Sequence, residues 1–147
     1  MKVFVVDASV ASRFLLVEEL SDKAGLVLED FLSGVVDLKA PDLVAYEVGN
    51  TLWKAVRQGF ISVEEAIQKF SYFLELRIGS IKLDGEGHRK ILEWGLRNEA
   101  TYYDSAYVMC SKLLGATLLT ADEVLYEKAR AEVPTLHLRD YQALSKE

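Results

Sequence analysis

Two short, almost uniformly apolar runs place the strongest constraint on what this chain can fold into. Lys2-Val3-Phe4-Val5-Val6 opens the chain, and Ala116-Thr117-Leu118-Leu119-Thr120 lies far downstream. Runs of this kind are typical of parallel strands, which are buried on both faces of a sheet. Because parallel strands are joined by crossovers that are usually helical, the chain is expected to alternate strands with helices.

The remaining segments complete an alternating βα pattern. Further candidate strands are Thr135-Leu136-His137-Leu138 and, more weakly, Val35-Val36-Asp37-Leu38 and Ile81-Lys82-Leu83. Helical periodicity predicts helices over residues 42–57, 66–76, 87–97 and 106–114, the last of them apolar almost all round and ending at Gly115. With right-handed crossovers, this order predicts an α/β sandwich around a parallel sheet.

Composition limits the class of protein. The 147 residues carry 17 Lys and Arg against 23 Asp and Glu, a net charge of −6, which excludes nucleic-acid binding by bulk positive charge alone. No linker or repeat divides the chain, so one domain over residues 1–147 is expected. No stretch has the apolar length of a membrane span. The single cysteine, Cys110, has no internal disulfide partner, which favours a cytoplasmic protein.

Three acids occupy positions that should meet at one edge of the sheet. Asp7 directly follows the first strand, and Asp122 comes two residues after Thr120 at the end of the late strand. Functional groups of open parallel sheets lie beyond the carboxyl ends of the strands. Asp104 heads the buried helix that leads through Gly115 into the late strand, so it should start near the same edge.

A fourth acid, Glu47, lies in the first turns of helix 42–57, at the border of its apolar stripe. Four carboxylates from four segments could therefore converge. Each also has a purely structural explanation. Asp7 could cap a helix, the segments 101–104 and 120–123 match the capping-box pattern, and Glu47 could be a solvated helix acid.

At these acids the chain resembles the PIN-domain family, and within it the small prokaryotic ribonuclease toxins of the VapC type. Val5-Val6-Asp7-Ala8-Ser9 is similar to the opening strand and first acid of the family. Tyr46-Glu47-Val48-Gly49-Asn50 resembles its Glu-x-x-Asn helix, and Tyr103-Asp104-Ser105-Ala106 resembles its third acid at a helix start. The run from Gly115 to Asp122 resembles the strand that leads to a Thr-x-Asp. The similarity extends, in order, over nearly the whole chain.

The resemblance implies a fold, an activity and partners. The implied fold is a PIN-like three-layer α/β/α sandwich with a central, mainly parallel sheet of four to five strands. The implied activity is that of an endoribonuclease dependent on Mg²⁺ or Mn²⁺, the toxin of a type II toxin–antitoxin pair. The implied partners are RNA as substrate, a small cognate antitoxin protein and a second copy of the chain in a homodimer.

The proposed chemistry assigns a role to each polar residue at the edge. Clustered carboxylates raise one another's pKa unless a cation joins them, and hard oxygen ligands favour Mg²⁺ or Mn²⁺. Because Mg²⁺ takes one or two protein carboxylates, Asp7 and Asp104 are expected to be the direct ligands. Glu47 and Asp122 would bind a second ion or orient water, and Thr120 would hold a water or a carboxylate. Ser9 is a weaker candidate of the same kind. The two histidines are too isolated to form a zinc site with the cysteine.

Further side chains could contact the substrate or a partner protein, or they could be ordinary surface or core residues. Possible phosphate contacts are Arg13, Lys54 and Arg57, and possible base-stacking residues are Trp53, Tyr102 and Tyr103. The segment Phe70, Tyr72, Phe73 and Leu74 is either a dimer or antitoxin surface or part of the core.

Two other functions compete with the nuclease. One is a catalytically silent PIN-like protein-binding module, in which the acids are only helix caps. The other is a phosphotransfer domain of the receiver or haloacid-dehalogenase type, since Asp7 ends the first strand. The phosphotransfer reading is disfavoured because Ser9 stands where a second acid is needed, and no suitable lysine follows the late strand.

Overall fold

A computed structural model describes residues 1–144, so the last three residues of the predicted domain lie outside the described residues. The centre of the fold is a sheet of five parallel strands in the order β3-β2-β1-β4-β5. The strands are β1 (Lys2–Val6), β2 (Val36–Pro41), β3 (Gly79–Ile81), β4 (Thr117–Thr120) and β5 (Thr135–His137). The two apolar runs are therefore adjacent central strands, as expected from their burial on both faces.

Helices separate and cover these strands. Within residues 1–144 they are α1 (Ala8–Ser12), α2 (Ser21–Leu32), α3 (Leu43–Arg57), α4 (Val63–Glu75), α5 (Gly85–Asn98), α6 (Tyr102–Leu114) and α7 (Glu123–Ala129). A short 3₁₀ turn, Leu138–Asp140, follows β5. The arrangement confirms the predicted three-layer α/β/α sandwich. None of the helices in the described part of the chain is long and apolar enough to cross a membrane.

Several element boundaries differ from the predicted ones. Strand β2 continues to Pro41, β3 ends at Ile81 rather than beginning there, and β5 gives way to the 3₁₀ turn at Leu138. Helix α6 begins at Tyr102 because the Thr101 hydroxyl caps it. Helix α2 was not predicted, since its N-terminal residue makes no side-chain cap and no capping signal precedes it.

The core is built from the central strands and helix α6. Residues 4–6 of β1 and 118–120 of β4 are buried, and α6 is buried continuously from residue 105 to residue 111, which confirms the predicted buried helix. Gly115 ends α6 at a φ of +64°, in the left-handed region that favours glycine. At Gly95 of α5 a Cβ atom would lie 2.7 Å from the Ser105 hydroxyl oxygen, so glycine permits α5 and α6 to pack closely.

The register of the sheet determines where the acids emerge. Val6 of β1 pairs with Leu119 of β4, and the Asp7 amide donates to the Leu119 carbonyl over 3.4 Å. Both central strands therefore end at the same level, with Asp7 beside Thr120. This is the edge at which the carboxyl ends of parallel strands form a functional crevice.

Candidate active site

The Asp7 carboxylate lies at the centre of the site and is only 5% exposed. Its Oδ2 accepts a hydrogen bond from the Thr120 hydroxyl at 2.5 Å, and its Oδ1 accepts one from the Ser9 hydroxyl at 2.6 Å. The Val10 amide also donates to Oδ1, over 3.2 Å, so Asp7 is the N-cap of α1 as well. Both oxygens are thus oriented by three donors from two elements.

Thr120 connects Asp7 to Asp122. The Asp122 amide donates to the Thr120 hydroxyl oxygen at 3.0 Å, while the Asp122 carboxylate accepts from the Leu125 amide at 2.9 Å and caps α7. The Ser9 hydroxyl oxygen accepts from the Ala121 amide at 2.8 Å and ties the start of α1 to the end of β4. The capping explanation is therefore correct for Asp7. The predicted capping box over residues 120–123 is wrong, because Asp122 rather than Thr120 is the N-cap of α7. Both capping roles coexist with the convergence of the two acids.

Asp104 lies in the first turn of α6, where its amide, not its carboxylate, makes the cap to Thr101 at 3.0 Å. Burial raises the pKa of the Asp104 carboxyl, and the charges of Asp122 and Glu47 raise it further, whereas Lys128 and Thr101 oppose the shift. Asp104 is thus within electrostatic range of acids from α3 and from the end of β4.

Glu47 is held by a buried tyrosine. The Tyr107 hydroxyl donates to Glu47 Oε1 at 2.6 Å, joining α6 to α3 across 60 residues of sequence. Burial raises the pKa of the Tyr107 hydroxyl, as do the Glu47 hydrogen bond and, to a smaller extent, the charges of Asp7 and Asp104. Tyr107 was not identified from the sequence. Its position three residues after Asp104, on the same face of α6, is the signal that could have identified it.

The electrostatics of Asp7 reflect both burial and neighbours. Burial raises the pKa of Asp7 from 3.8 to about 6, and the charge of Asp104 raises it slightly as well. The hydrogen bonds from Ser9, Thr120 and Val10 lower the pKa, but they do not offset the effect of burial. The structure therefore brings all five predicted site residues into one electrostatic and hydrogen-bonded network: Asp7, Glu47, Asp104, Asp122 and Thr120. Such a cluster favours a bound cation or a proton, since either relieves the repulsion.

The donor set suits a hard cation. Carboxylate and hydroxyl oxygens are the ligands that Mg²⁺ and Mn²⁺ prefer, and burial raises the pKa of the Cys110 thiol to about 12, leaving it a neutral core side chain. Among the His, Cys, Asp and Glu side chains of residues 1–144, no group of three or more is arranged to hold a metal ion. A Mg²⁺ ion that keeps several waters needs only one or two of these carboxylates.

The three basic candidates have different surroundings. Arg13 is already engaged: Nε donates to the Glu19 carbonyl, Nη1 to the Ser9 carbonyl, and Nη2 lies 3.3 Å from a Glu18 carboxylate oxygen. Arg57 lies over the Trp53 ring, 5.6 Å from its centre. Lys54, in contrast, lines a cleft that contains Glu47.

The aromatic candidates also have different surroundings. The Tyr102 ring stacks on His88, whereas Tyr103 lines the same cleft as Lys54.

In α4, Phe73 is buried in the core, while Tyr72 and Leu74 are exposed. The segment of residues 70–74 therefore contributes to both the core and the surface, because its side chains alternate between the two faces of an amphipathic helix.

Comparison with known proteins relates the chain to one group of nucleases. No protein-family model matches it. It is 35% identical over 133 residues to ribonuclease VapC3 of Pyrobaculum aerophilum, covering 88% of this chain and 96% of that protein. It is 30% identical over 127 residues to ribonuclease VapC1 of Mycobacterium tuberculosis, covering 82% and 90%. The crystal structure of PAE2754 from Pyrobaculum aerophilum has a TM-score of 0.68 at 20% identity, covering 94% of this chain and 92% of that one, which shows a shared fold.

Proposed function

This chain belongs to the VapC family of PIN-domain ribonucleases, and from that premise we propose that it is an endoribonuclease dependent on Mg²⁺ or Mn²⁺. The observation that carries the proposal is the convergence of four carboxylates at the carboxyl edge of the sheet, where burial, followed by the charges of Asp122 and Glu47, raises the pKa of Asp104, and the Asp104 charge contributes to the raised pKa of Asp7. Carboxylates that repel one another in a crevice are suited to a divalent cation. A cation held there suits the hydrolysis of phosphodiester bonds.

Each residue of the network has a proposed role. Asp7 and Asp104 bind the metal directly, and Glu47 and Asp122 bind a second ion or orient a water molecule. Thr120 positions Asp7 through the 2.5 Å hydrogen bond between its hydroxyl and Oδ2. When bound, the cation would lower the pKa of water and stabilise negative charge on the phosphate. The chain supplies oriented oxygen ligands and an edge of the sheet open to substrate.

The test of this proposal is cleavage of RNA by the purified protein. We expect Mg²⁺ or Mn²⁺ to support cleavage of a pool of structured RNAs, and EDTA to stop it. A circular RNA, which has no ends, separates endonuclease from exonuclease activity. If neither metal supports cleavage of any RNA in the pool, the chain is better described as a catalytically silent binding module. The capping roles of Asp7 and Asp122 are consistent with that alternative.

Replacing Tyr107 by Phe should weaken metal binding while leaving the core packed. The substitution removes only the hydroxyl that orients Glu47, and the partners of metal-binding carboxylates commonly contribute about 10- to 100-fold in metal affinity. Calorimetric titration with Mn²⁺ measures this effect directly. Tyr72→Phe, at an exposed position in α4, is the matched control. An unchanged Mn²⁺ affinity in Tyr107→Phe would show that this hydrogen bond is only structural.

We further propose that the protein is the toxin of a type II toxin–antitoxin pair, that it acts in the cytoplasm as a homodimer, and that a small antitoxin protein inhibits it. Support comes from large apolar side chains exposed on the packed pair α3 and α4 and in the loop between them, since extended apolar patches mark protein-binding surfaces: Trp53, Phe60, Val63 and Ile67. Co-expression with the product of an adjacent reading frame should give an inactive complex. Light scattering of the free protein should give twice the mass of one chain.

A further inference from the structure

A cleft of about 740 Å³ opens beside the carboxylate network. Glu47, which belongs to the network, lines it together with Ser9, whose hydroxyl donates to Asp7, so the cleft is continuous with the candidate active site. Its volume lies in the upper part of the range of small-molecule pockets, which is about 300–1,000 Å³. A polymer substrate with its scissile bond at the carboxylates has room to continue into this cleft.

One wall of the cleft is a single face of α3. Its residues recur at helical spacing, and they are Leu43, Tyr46, Glu47, Asn50, Thr51 and Lys54. At 1.5 Å per residue, Lys54 lies about 10 Å along the helix axis from Glu47. The face thus has a carboxylate near one end and an ammonium group near the other, with amide and hydroxyl groups between them.

The charges of the cleft favour a phosphate at one place. Its two cations are Arg13 and Lys54, and Arg13 is held by the Glu18 and Glu19 loop and by the Ser9 carbonyl. Lys54 is exposed and carries a strongly hydrated point charge on a flexible stem, which suits contact with a phosphate. A phosphate beyond the scissile one would therefore lie near Lys54.

Two tyrosines make the cleft suitable for bases. Tyr46 from α3 is 81% exposed and Tyr103 from α6 is 60% exposed, and both line the cleft. Each directly precedes a carboxylate of the network, Glu47 or Asp104. Aromatic rings in a groove of this kind stack on bases of any sequence, and they reach bases only where those bases are unpaired.

We propose that Tyr46, Tyr103 and Lys54 form a substrate-positioning groove that takes an unpaired RNA segment, with bases stacked on the tyrosines and a phosphate at the lysine. The proposal rests on the proposed ribonuclease function, because the continuity of the cleft with the carboxylates identifies RNA as the occupant. The tyrosines hold the strand by stacking, and the lysine holds it by charge. The groove therefore excludes duplex RNA, whose bases are already stacked on one another.

The test separates binding from cleavage. In an Asp104→Asn background with Mg²⁺, anisotropy measures the Kd of a fluorescent single-stranded RNA and of the matching duplex. We expect Tyr46→Ala and Tyr103→Ala each to weaken single-strand binding about 5- to 150-fold, and Tyr→Phe at either position to keep it. Tyr72→Ala, at an exposed position on α4 outside the cleft, should have no effect on RNA binding. The Lys54→Gln variant should lower the slope of log Kd against log salt by about 0.7, whereas Lys90→Gln on α5 should not.

The outcomes distinguish this proposal from the function on which it rests. Unchanged Kd values in both Tyr→Ala variants, in a protein whose wild type cleaves RNA, would overturn the groove and leave the ribonuclease. The same result together with loss of antitoxin binding would assign the tyrosines to a protein partner instead. A wild type that neither cleaves nor binds RNA would overturn both. Loss of binding in Tyr→Ala, its retention in Tyr→Phe and a normal Tm would support the groove.

Discussion

Replacing Asp104 by Asn is expected to lower the rate of RNA cleavage by at least about 10³-fold while the protein stays folded. Metal-ion stabilisation of developing charge contributes several kcal/mol to such reactions, and each 1.36 kcal/mol is a factor of ten in rate. The fold should tolerate the change because the Asp104 carboxylate makes no cap to α6; the Thr101 hydroxyl bonds the Asp104 amide instead. Asn also removes the repulsion that Asp122 and Glu47 exert on this position.

The measurement is kcat/KM on an RNA that the wild type cleaves, with Tm as a check of folding. Asp22→Asn is the matched control, since it makes the same chemical change in the first turn of α2 at an exposed position. We expect the control to cleave like the wild type. Asp104→Asn with more than about a tenth of wild-type activity would remove Asp104 from the proposed catalytic set.

Replacing Asp7 by Asn should stabilise the metal-free protein at neutral pH and at the same time inactivate it. The Asp7 carboxylate is buried, and burial raises its pKa from 3.8 to about 6. At 1.36 kcal/mol per pKa unit, keeping it ionised costs the folded state roughly 3 kcal/mol above pH 6. An amide of similar shape carries no charge to desolvate, and it can still accept from the Val10 amide. We expect Tm in EDTA at pH 7.5 to rise by about 6 to 12 °C.

The pH dependence of wild-type stability follows from the same shift. Below about pH 4, Asp7 is protonated in both the folded and the unfolded chain, so it makes no difference to stability. Between about pH 4 and pH 6 the folded chain keeps a proton that the unfolded chain has lost, so the free energy of unfolding falls as the pH rises. The Asp7→Asn variant lacks this contribution, and its stability should exceed that of the wild type by a margin that grows across that window.

Urea unfolding at several pH values in EDTA measures the margin, and added Mg²⁺ or Mn²⁺ provides a second readout. A divalent cation at 100 times its Kd should stabilise the wild type by about 2.7 kcal/mol, and it should stabilise Asp7→Asn much less. Asp22→Asn should follow the wild type in both measurements. Equal stability of Asp7→Asn and wild type at pH 7.5 in EDTA would mean that the buried charge is already compensated within the fold.

Local patterns in the sequence determined the layers of the fold and the edge at which the site forms. The apolar runs of β1 and β4 predict buried parallel strands. The carboxyl ends of parallel strands lie at the same edge of the sheet, however the side chains around them pack. Asp7 and Asp122 follow those ends within two residues, and α6, which leads through Gly115 into the start of β4, has Asp104 at its own start near the same edge. Periodicity and capping signals are short-range properties of the chain, so they can be recognised without a tertiary structure.

Only the tertiary structure decided how those acids are held. The Thr120 hydroxyl reaches Asp7 across 113 residues of sequence, and the Tyr107 hydroxyl reaches Glu47 across 60. Arg13 is a substrate candidate from the sequence, yet in the structure it holds the loop of residues 18 and 19. These outcomes depend on side-chain directions and on packing between distant elements, which leave no local pattern in the chain. The sequence therefore identifies which acids meet, whereas close packing sets their partners, their pKa values and the cleft beside them.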